Sequence, residues 1–245
     1  MIELYSQICS TENLTLAFQK ARKHKTTRLD VMEFESDLGN NLSLLRTELL
    51  LHAYHPRVLK TFIIHDPKTK KISKSDFRDR VVHHALCNVI GSLFENSFIY
   101  DSYANRIGKG TLKAIQRLES FSRKVTFNYT KRAYALKADI YHYFDQVDQS
   151  VLLSILGKKI KCPKTIWLIH KILANYSTAE LRGMPLGNLT SQFFANIYLN
   201  ELDYFVKHQL RAKYYLRYVD DFVLLHNSKE KLEEYRLRIQ EFLQN

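Results

Sequence analysis

Proline and glycine are scarce in this 245-residue sequence, with 4 and 7 copies, which excludes a collagen-like, proline-rich or Gly/Ser-linker chain. Cysteine is rarer still. Cys9, Cys87 and Cys162 lie far apart and lack the paired spacing of a zinc site or a disulfide framework, so a reducing cytoplasm is the expected setting. No apolar run approaches the length of a membrane span, and the opening MIELYSQICSTENL lacks the basic-then-apolar pattern of an export signal. A phosphate-binding glycine loop is also missing. Gly108-Lys109-Gly110-Thr111 carries only part of that motif, which argues against a P-loop NTPase. His83 and His84 are neighbours on a predicted helix and point in different directions, while His24, His65, His142 and His170 show no ligand spacing, so structural roles are expected for all of them.

What the sequence has in excess is positive charge, 37 Lys and Arg against 25 Asp and Glu for a net +12. Between Arg57 and Arg132 stand sixteen basic and six acidic residues, so most of the excess sits in that stretch. The sign points to a polyanionic partner, nucleic acid ahead of an acidic membrane surface. Phe62, Phe77, Tyr100, Tyr103, Phe127 and Tyr129 are interleaved with these charges, as base-stacking surfaces require, although the same rings could equally serve a core. A hydrophobic content of 45% is enough to fill one.

Periodicity divides the chain without any linker or repeat. Residues 1–55 read as a helical lead-in, with Leu14, Ala17, Phe18 and Ala21 on one face and a second series through Leu38, Leu42, Leu45 and Leu49. VLKTFII, from Val58, predicts a strand; Asp66-Pro67 marks a turn and the following ISKS returns as its hairpin partner. Val81, Val82, Ala85, Leu86, Val89, Ile90, Leu93 and Phe94 predict a helix capped by Asp76 or Asp79, and another starts near Thr111 with Leu112, Ile115 and Leu118 facing inward. YALKADI, residues 134–140, alternates as a strand that ends in a carboxylate. Helices are predicted from Asp148, from Pro163 and over 191–209, before YYLRYV and FVLLH flank Asp220 and Asp221 as a β-hairpin.

Adjacent carboxylates at a tight turn between apolar strands are unfavourable without a compensating cation. Asp-Asp pairs are common in exposed turns, but here a third acid, Asp139, ends a second strand. If that strand lies beside the hairpin, three hard oxygen donors meet at one sheet edge, a set suited to two Mg²⁺ ions and to phosphoryl-type transfer.

At these residues the chain resembles reverse transcriptases. KADIYHYFDQVD is similar to the first catalytic block of that family and YVDDF to the second, with GMPLGNLTSQFFANIYLNELD between them similar to the block that contacts the templating pair. FRDRVVHHALCNVIGSLFE and SYANRIGKGTLKAI resemble the fingers blocks of group II intron and bacterial retroelement enzymes, making five blocks in family order from Phe77 to Phe222. The resemblance implies an α+β right-hand polymerase, with a helical extension over 1–55, fingers over 56–132 and an antiparallel palm over 133–245, the chain stopping before the rest of the palm and the thumb. It implies RNA-directed DNA polymerase activity with two Mg²⁺ ions, Mn²⁺ as a substitute, an RNA template, a DNA or RNA primer and dNTPs, in the cytoplasm of a bacterial, archaeal or phage-infected host.

By the same resemblance Asp139, Asp220 and Asp221 are the catalytic metal ligands, joined by the backbone carbonyl of Ile140. Phe144 takes the place of the aromatic gate at the sugar 2′ position, and Lys71, Arg78 and Arg106 are candidates for gripping the triphosphate. Intron enzymes usually read Gln-Gly, three variable residues, then Ser-Pro; here Leu186-Gly187 and Ser191-Gln192 stand instead. That departure is characteristic of the enzymes of diversity-generating retroelements, which copy a template repeat with errors at adenine, in some cases with a basic accessory protein. An intron-type enzyme and a catalytically idle nucleic-acid-binding protein of the same fold are the alternatives.

Overall fold

The computed structural model describes residues 3–65, 69–176 and 181–244. In chain order the N-terminal elements are α1 (Leu4–Ile8), α2 (Thr11–Arg22), α3 (Leu29–Ser36), α4 (Leu38–Leu50), β1 (Lys60–Ile64), β2 (Lys70–Lys74) and α5 (Phe77–Glu95). Then come α6 (Thr111–Val125), β3 (Tyr134–Ala138), α7 (Tyr143–Gln146), α8 (Gln149–Lys159), α9 (Pro163–Ala174) and α10 (Leu189–Tyr204). A π-helical turn over Phe205–Gln209 leads to β4 (Tyr214–Tyr218), β5 (Asp221–His226) and α11 (Lys229–Gln244). The expected Asp66-Pro67 turn lies outside the described residues.

Tertiary contacts gather these elements into two compact units, each drawn from two stretches: Met1–Asn96 with Phe144–Phe194, and Ser97–Tyr143 with Ala195–Asn245.

In the first unit α2 lies along α5. Leu14, Ala17, Phe18 and Ala21 recur at helical spacing and are buried, as are Val81, Val82, Ala85, Leu86 and Ile90 of α5. Each Leu, Phe or Ile so buried contributes roughly 1.5–3 kcal/mol relative to exposure. Ser10 caps α2 by accepting the Asn13 amide, and the Asn13 side chain donates to the Ala85 carbonyl at 3.0 Å, tying the two helices together. Asp76 caps α5. Asp79, the other candidate cap, is instead fully buried and accepts the Tyr54 hydroxyl at 2.9 Å and the Arg57 amide at 2.8 Å. Strands β1 and β2 form an antiparallel ribbon from Lys60↔Lys74 to Ile64↔Lys70, with every residue of β1 exposed.

In the second unit the sheet order is β3–β5–β4, all antiparallel. Helix α6 covers one face, where Ala114, Phe121 and Val125 pack with Tyr103, Leu216 and Leu225, and Leu118 joins them half-buried. The expected inward stripe on α6 needs correction: Leu112 is 70% and Ile115 59% exposed. Two apolar stripes compete on that helix, and the one spaced as 114, 118, 121 and 125 is longer and fits the sheet. Helix α11 packs along β3 and β5. Of the interleaved aromatics, Phe77 and Tyr103 are core, while Phe62, Tyr100, Phe127 and Tyr129 are exposed. Among the described residues no helix is long and apolar enough to cross a membrane.

Candidate active site

The hairpin between β4 and β5 is as tight as a hairpin can be made. Tyr218 pairs with Asp221, leaving Val219 and Asp220 as a two-residue loop. Val219 has φ 56°, whereas Asp220 is not among the positive-φ residues. That is the pattern of a turn whose first central position normally takes glycine, and a β-branched residue there is a genuine outlier.

The register of the sheet then brings in the third acid. β3 pairs with β5 through Lys137↔Val223 and Ala138↔Phe222, the last pair of the ladder, so Asp139 follows β3 directly where Asp221 precedes Phe222 on the neighbouring strand. Asp139 and Asp221 are exposed, and Ile140 is half-buried beside them. Among the described residues no three His, Cys, Asp or Glu side chains are gathered closely enough to hold a metal ion as they stand. The donor chemistry nevertheless fits a hard divalent cation: Asp139 after β3, Asp221 at the start of the neighbouring β5, and Asp220 in the β4–β5 turn. A cavity of about 260 Å³ opens beside this edge, lined by Leu136, Ala138, Asp139, Ile140 and Phe222 from the sheet side and by Ile239 of α11.

Sequence reasoning did not foresee what holds the hairpin from below. Alternation along β4 turns Tyr215 and Arg217 away from α6, and Arg217 is completely buried. Its guanidinium faces Asp203 of α10, also completely buried, through Nε to Oδ1 at 2.8 Å and Nη2 to Oδ2 at 2.7 Å. Burial opposes the charge on Arg217, and the Asp203 carboxylate outweighs it, so the guanidinium is held above its usual range. Tyr215 adds its hydroxyl to Asp203 Oδ1 at 2.7 Å. An arginine inside an apolar strand and an aspartate inside an apolar helix were the available signals.

The expected triphosphate grips fare differently from one another. Lys71 is exposed on β2. Arg78, only 12% exposed, is paired with Glu48 and Asp79 and stacked over Tyr54. Arg106 donates from Nη1 to the Ile99 and Ser102 carbonyls at 2.8 and 2.9 Å and lies over the Phe98 ring. Arg78 thus ties α5 to α4, and Arg106 holds its own loop together. Lys109, Lys113 and Arg117 line a separate cavity of about 340 Å³ with Tyr100 and Tyr103, the mixture of charge and rings expected where phosphates and bases are contacted.

Phe144 is half-buried, and its carbonyl accepts the Met184 amide at 2.7 Å. Leu186 and Gly187 lie against β2. The Leu186 carbonyl accepts the Ser73 amide at 3.0 Å, and Gly187, at φ 113°, leaves so little room that a Cβ would stand 2.8 Å from Ile72 Cγ2. Asn188, which sequence reasoning passed over, locks this segment by accepting the Ser75 amide and donating to the Ser73 carbonyl, each at 3.0 Å. Gln192 sits in the first turn of α10, half-buried, its amide donating to the Asn188 carbonyl at 3.3 Å. Asp139, Ile140, Asp220, Asp221 and Arg106 belong to the second unit, and Lys71, Arg78, Phe144, Leu186, Gly187 and Gln192 to the first.

The sequence profile of the reverse transcriptase (RNA-dependent DNA polymerase) family matches residues 65–245. The chain belongs to the reverse transcriptase family. Among relatives, the group II intron-encoded protein LtrA of Lactococcus lactis is 28% identical over 170 residues, covering 66% of this chain and 27% of LtrA. An uncharacterized 91 kDa protein in the cob intron of Schizosaccharomyces pombe is 31% identical over 136 residues, 53% of this chain and 16% of that protein. The chain therefore spans only a minor part of each. Apo telomerase from Candida tropicalis, truncated from its C-terminal domain, shares the fold with a TM-score of 0.55 at 14% identity, covering 78% of this chain and 49% of that one. The α+β polymerase architecture of reverse transcriptases is thus the architecture of this chain.

Proposed function

We propose that this chain is the catalytic part of an RNA-directed DNA polymerase that extends a primer with dNTPs on an RNA template. The observation that carries the reading is the sheet register: β3 ends its pairing with β5 at Ala138↔Phe222, so Asp139 and Asp221 are the next residues along two adjacent strands, and Asp220 stands in the β4–β5 turn. These three carboxylates, with the Ile140 carbonyl, would hold two Mg²⁺ ions, or Mn²⁺ in their place. Bound there, the ions would activate the primer hydroxyl and stabilise charge on the leaving pyrophosphate. By the family resemblance, other residues of the chain position the reactants. The Phe144 ring screens the sugar 2′ position, Leu186, Gly187 and Gln192 border the templating pair, and exposed Lys71 offers charge to the triphosphate. Three free cysteines agree with a reducing cytoplasm as the setting.

Within the family, Leu186 supports an error-prone enzyme of a diversity-generating retroelement: an apolar side chain beside the nascent pair cannot hydrogen-bond to it as glutamine could. A basic accessory protein would then bring the template RNA. The second reading, an intron-type enzyme, is favoured by the intron-encoded relatives. Extension of a DNA primer on an RNA template by the full-length protein with Mg²⁺, with and without the accessory protein, tests both. Extension lost in Asp220→Ala/Asp221→Ala supports the polymerase. Errors concentrated opposite adenine favour the first reading and uniform fidelity the second, while no extension under any condition leaves a nucleic-acid-binding protein of the same fold.

A further inference from the structure

An arginine has five N–H donors, and Arg217 uses all five inside the protein. Nε and one Nη2 hydrogen go to Asp203, the other Nη2 hydrogen to Ser102 Oγ at 3.3 Å, and one Nη1 hydrogen to Asn196 Oδ1 at 3.2 Å. The fifth goes to the carbonyl of Val219 at 2.8 Å, the residue with the left-handed backbone at the tip of the acid-bearing hairpin. The partners are themselves fixed: Asn196 donates to the Ala104 carbonyl at 2.8 Å, and the Arg217 backbone bonds Asp101 and Tyr103 on the neighbouring loop.

A buried ion pair is a poor stabiliser compared with apolar side chains of the same volume. A valine at positive φ is strained as well, and such strain persists only where the surroundings over-determine it. Here the two costs meet in one hydrogen bond. Four bonds clamp the guanidinium plane, and the fifth holds the carbonyl whose orientation is set by the φ and ψ of Val219. The next two residues in the chain are Asp220 and Asp221.

We propose that Arg217 is a positioning residue for the hairpin acids: clamped by Asp203, Asn196 and Ser102, it holds the Val219 carbonyl and so keeps the turn in the left-handed conformation that directs Asp220 and Asp221. As a role in catalysis this rests on the polymerase reading above; as a statement about the turn it does not. Lysine cannot replace it, because a single ammonium on a flexible stem cannot serve Asp203 and Val219 together.

The test compares full-length wild type with the charge-free pair Arg217→Met/Asp203→Leu, and with the same pair carrying Val219→Gly. Folding is read by thermal unfolding, the turn by the NMR coupling that reports φ at residue 219, and catalysis by primer extension. The charge-free pair should fold, lose the left-handed signature at Val219 and lower kcat about 100-fold, the cost of small misplacement of reacting groups, with KM for dNTP nearly unchanged. Glycine at 219 takes positive φ without strain and should recover at least about 10-fold of kcat. If the charge-free pair does not fold, Arg217→Lys with and without Val219→Gly is read the same way. A folded variant that keeps wild-type kcat, or a loss that Val219→Gly does not recover, overturns the proposal. If wild type itself extends nothing, the polymerase reading fails, and the coupling at Val219 alone decides: retained positive φ without Arg217 overturns the proposal and its loss upholds it.

Discussion

Two antiparallel hairpins of nearly equal length sit in opposite environments in this protein. The β1–β2 ribbon is a two-stranded sheet with every β1 residue exposed and lysines along its return strand. The β4–β5 hairpin lies within a three-stranded sheet, with Tyr215, Leu216 and Arg217 buried on successive sides of one strand. A lone ribbon is marginal in water and depends on what it rests on, here the Leu186–Asn188 segment that bonds β2. The covered hairpin can hold a strained turn and two acids at its tip because an ion pair beneath it fixes the backbone. The difference teaches that charge placed for function demands burial of the support and not of the charged tip.

The sharpest way to break that comparison is catalytic. Asp221→Asn should lower primer extension by at least about 100-fold, the range for losing a preorganised electrostatic group, whereas Lys71→Ala on the exposed ribbon should cost less than about 10-fold. Stability should separate the hairpins next. Arg217→Met strands the Asp203 charge and should cost about 3–5 kcal/mol in urea unfolding, against less than about 0.5 kcal/mol for exposed Phe62→Ala.

Gly187→Ala probes the support of the ribbon. With φ 113° and Ile72 Cγ2 at 2.8 Å from the new Cβ, it should destabilise by about 1–3 kcal/mol. Gly157→Ala in α8 meets nothing within 4 Å and should stabilise by about 0.5–1 kcal/mol. Equal effects would remove the case for a required glycine at 187.

A further contrast concerns a buried base kept neutral, against the charged Arg217. Burial lowers His83 from its usual value to about 3 and half-buried His84 to about 4. In the unfolded chain both take up protons below about pH 6.5, while the folded protein does not until near pH 3 to 4. Stability from these groups is therefore complete above pH 6.5 and declines as pH falls toward those lower values, by up to about 1.4 kcal/mol per pH unit for each. Urea midpoints at pH 7 and pH 5 should show the decline, and His83→Leu should roughly halve it.

Local pattern made much of this legible. The Leu14–Ala21 stripe, the capped α5, the alternation of YALKA and the hairpin around Asp220-Asp221 follow from periods of 3.6 and 2.0, which are properties of neighbouring residues. Helix α6 shows the limit: its sequence carries two apolar stripes, and Leu112 with Ile115 turned outward because the sheet selects the other.

By itself, then, the sequence determined which segments coil and which extend, that an acid ends one strand and two close another, and that the family is the reverse transcriptases. Only the tertiary structure decided that β3 pairs with β5 up to Ala138↔Phe222, beside Asp139 and Asp221, that Arg78 and Arg106 are occupied at home, and that Arg217 bonds Asp203 and the Val219 carbonyl at once. Each of these depends on register or on burial between residues distant along the chain, and neither quantity exists until the elements have packed.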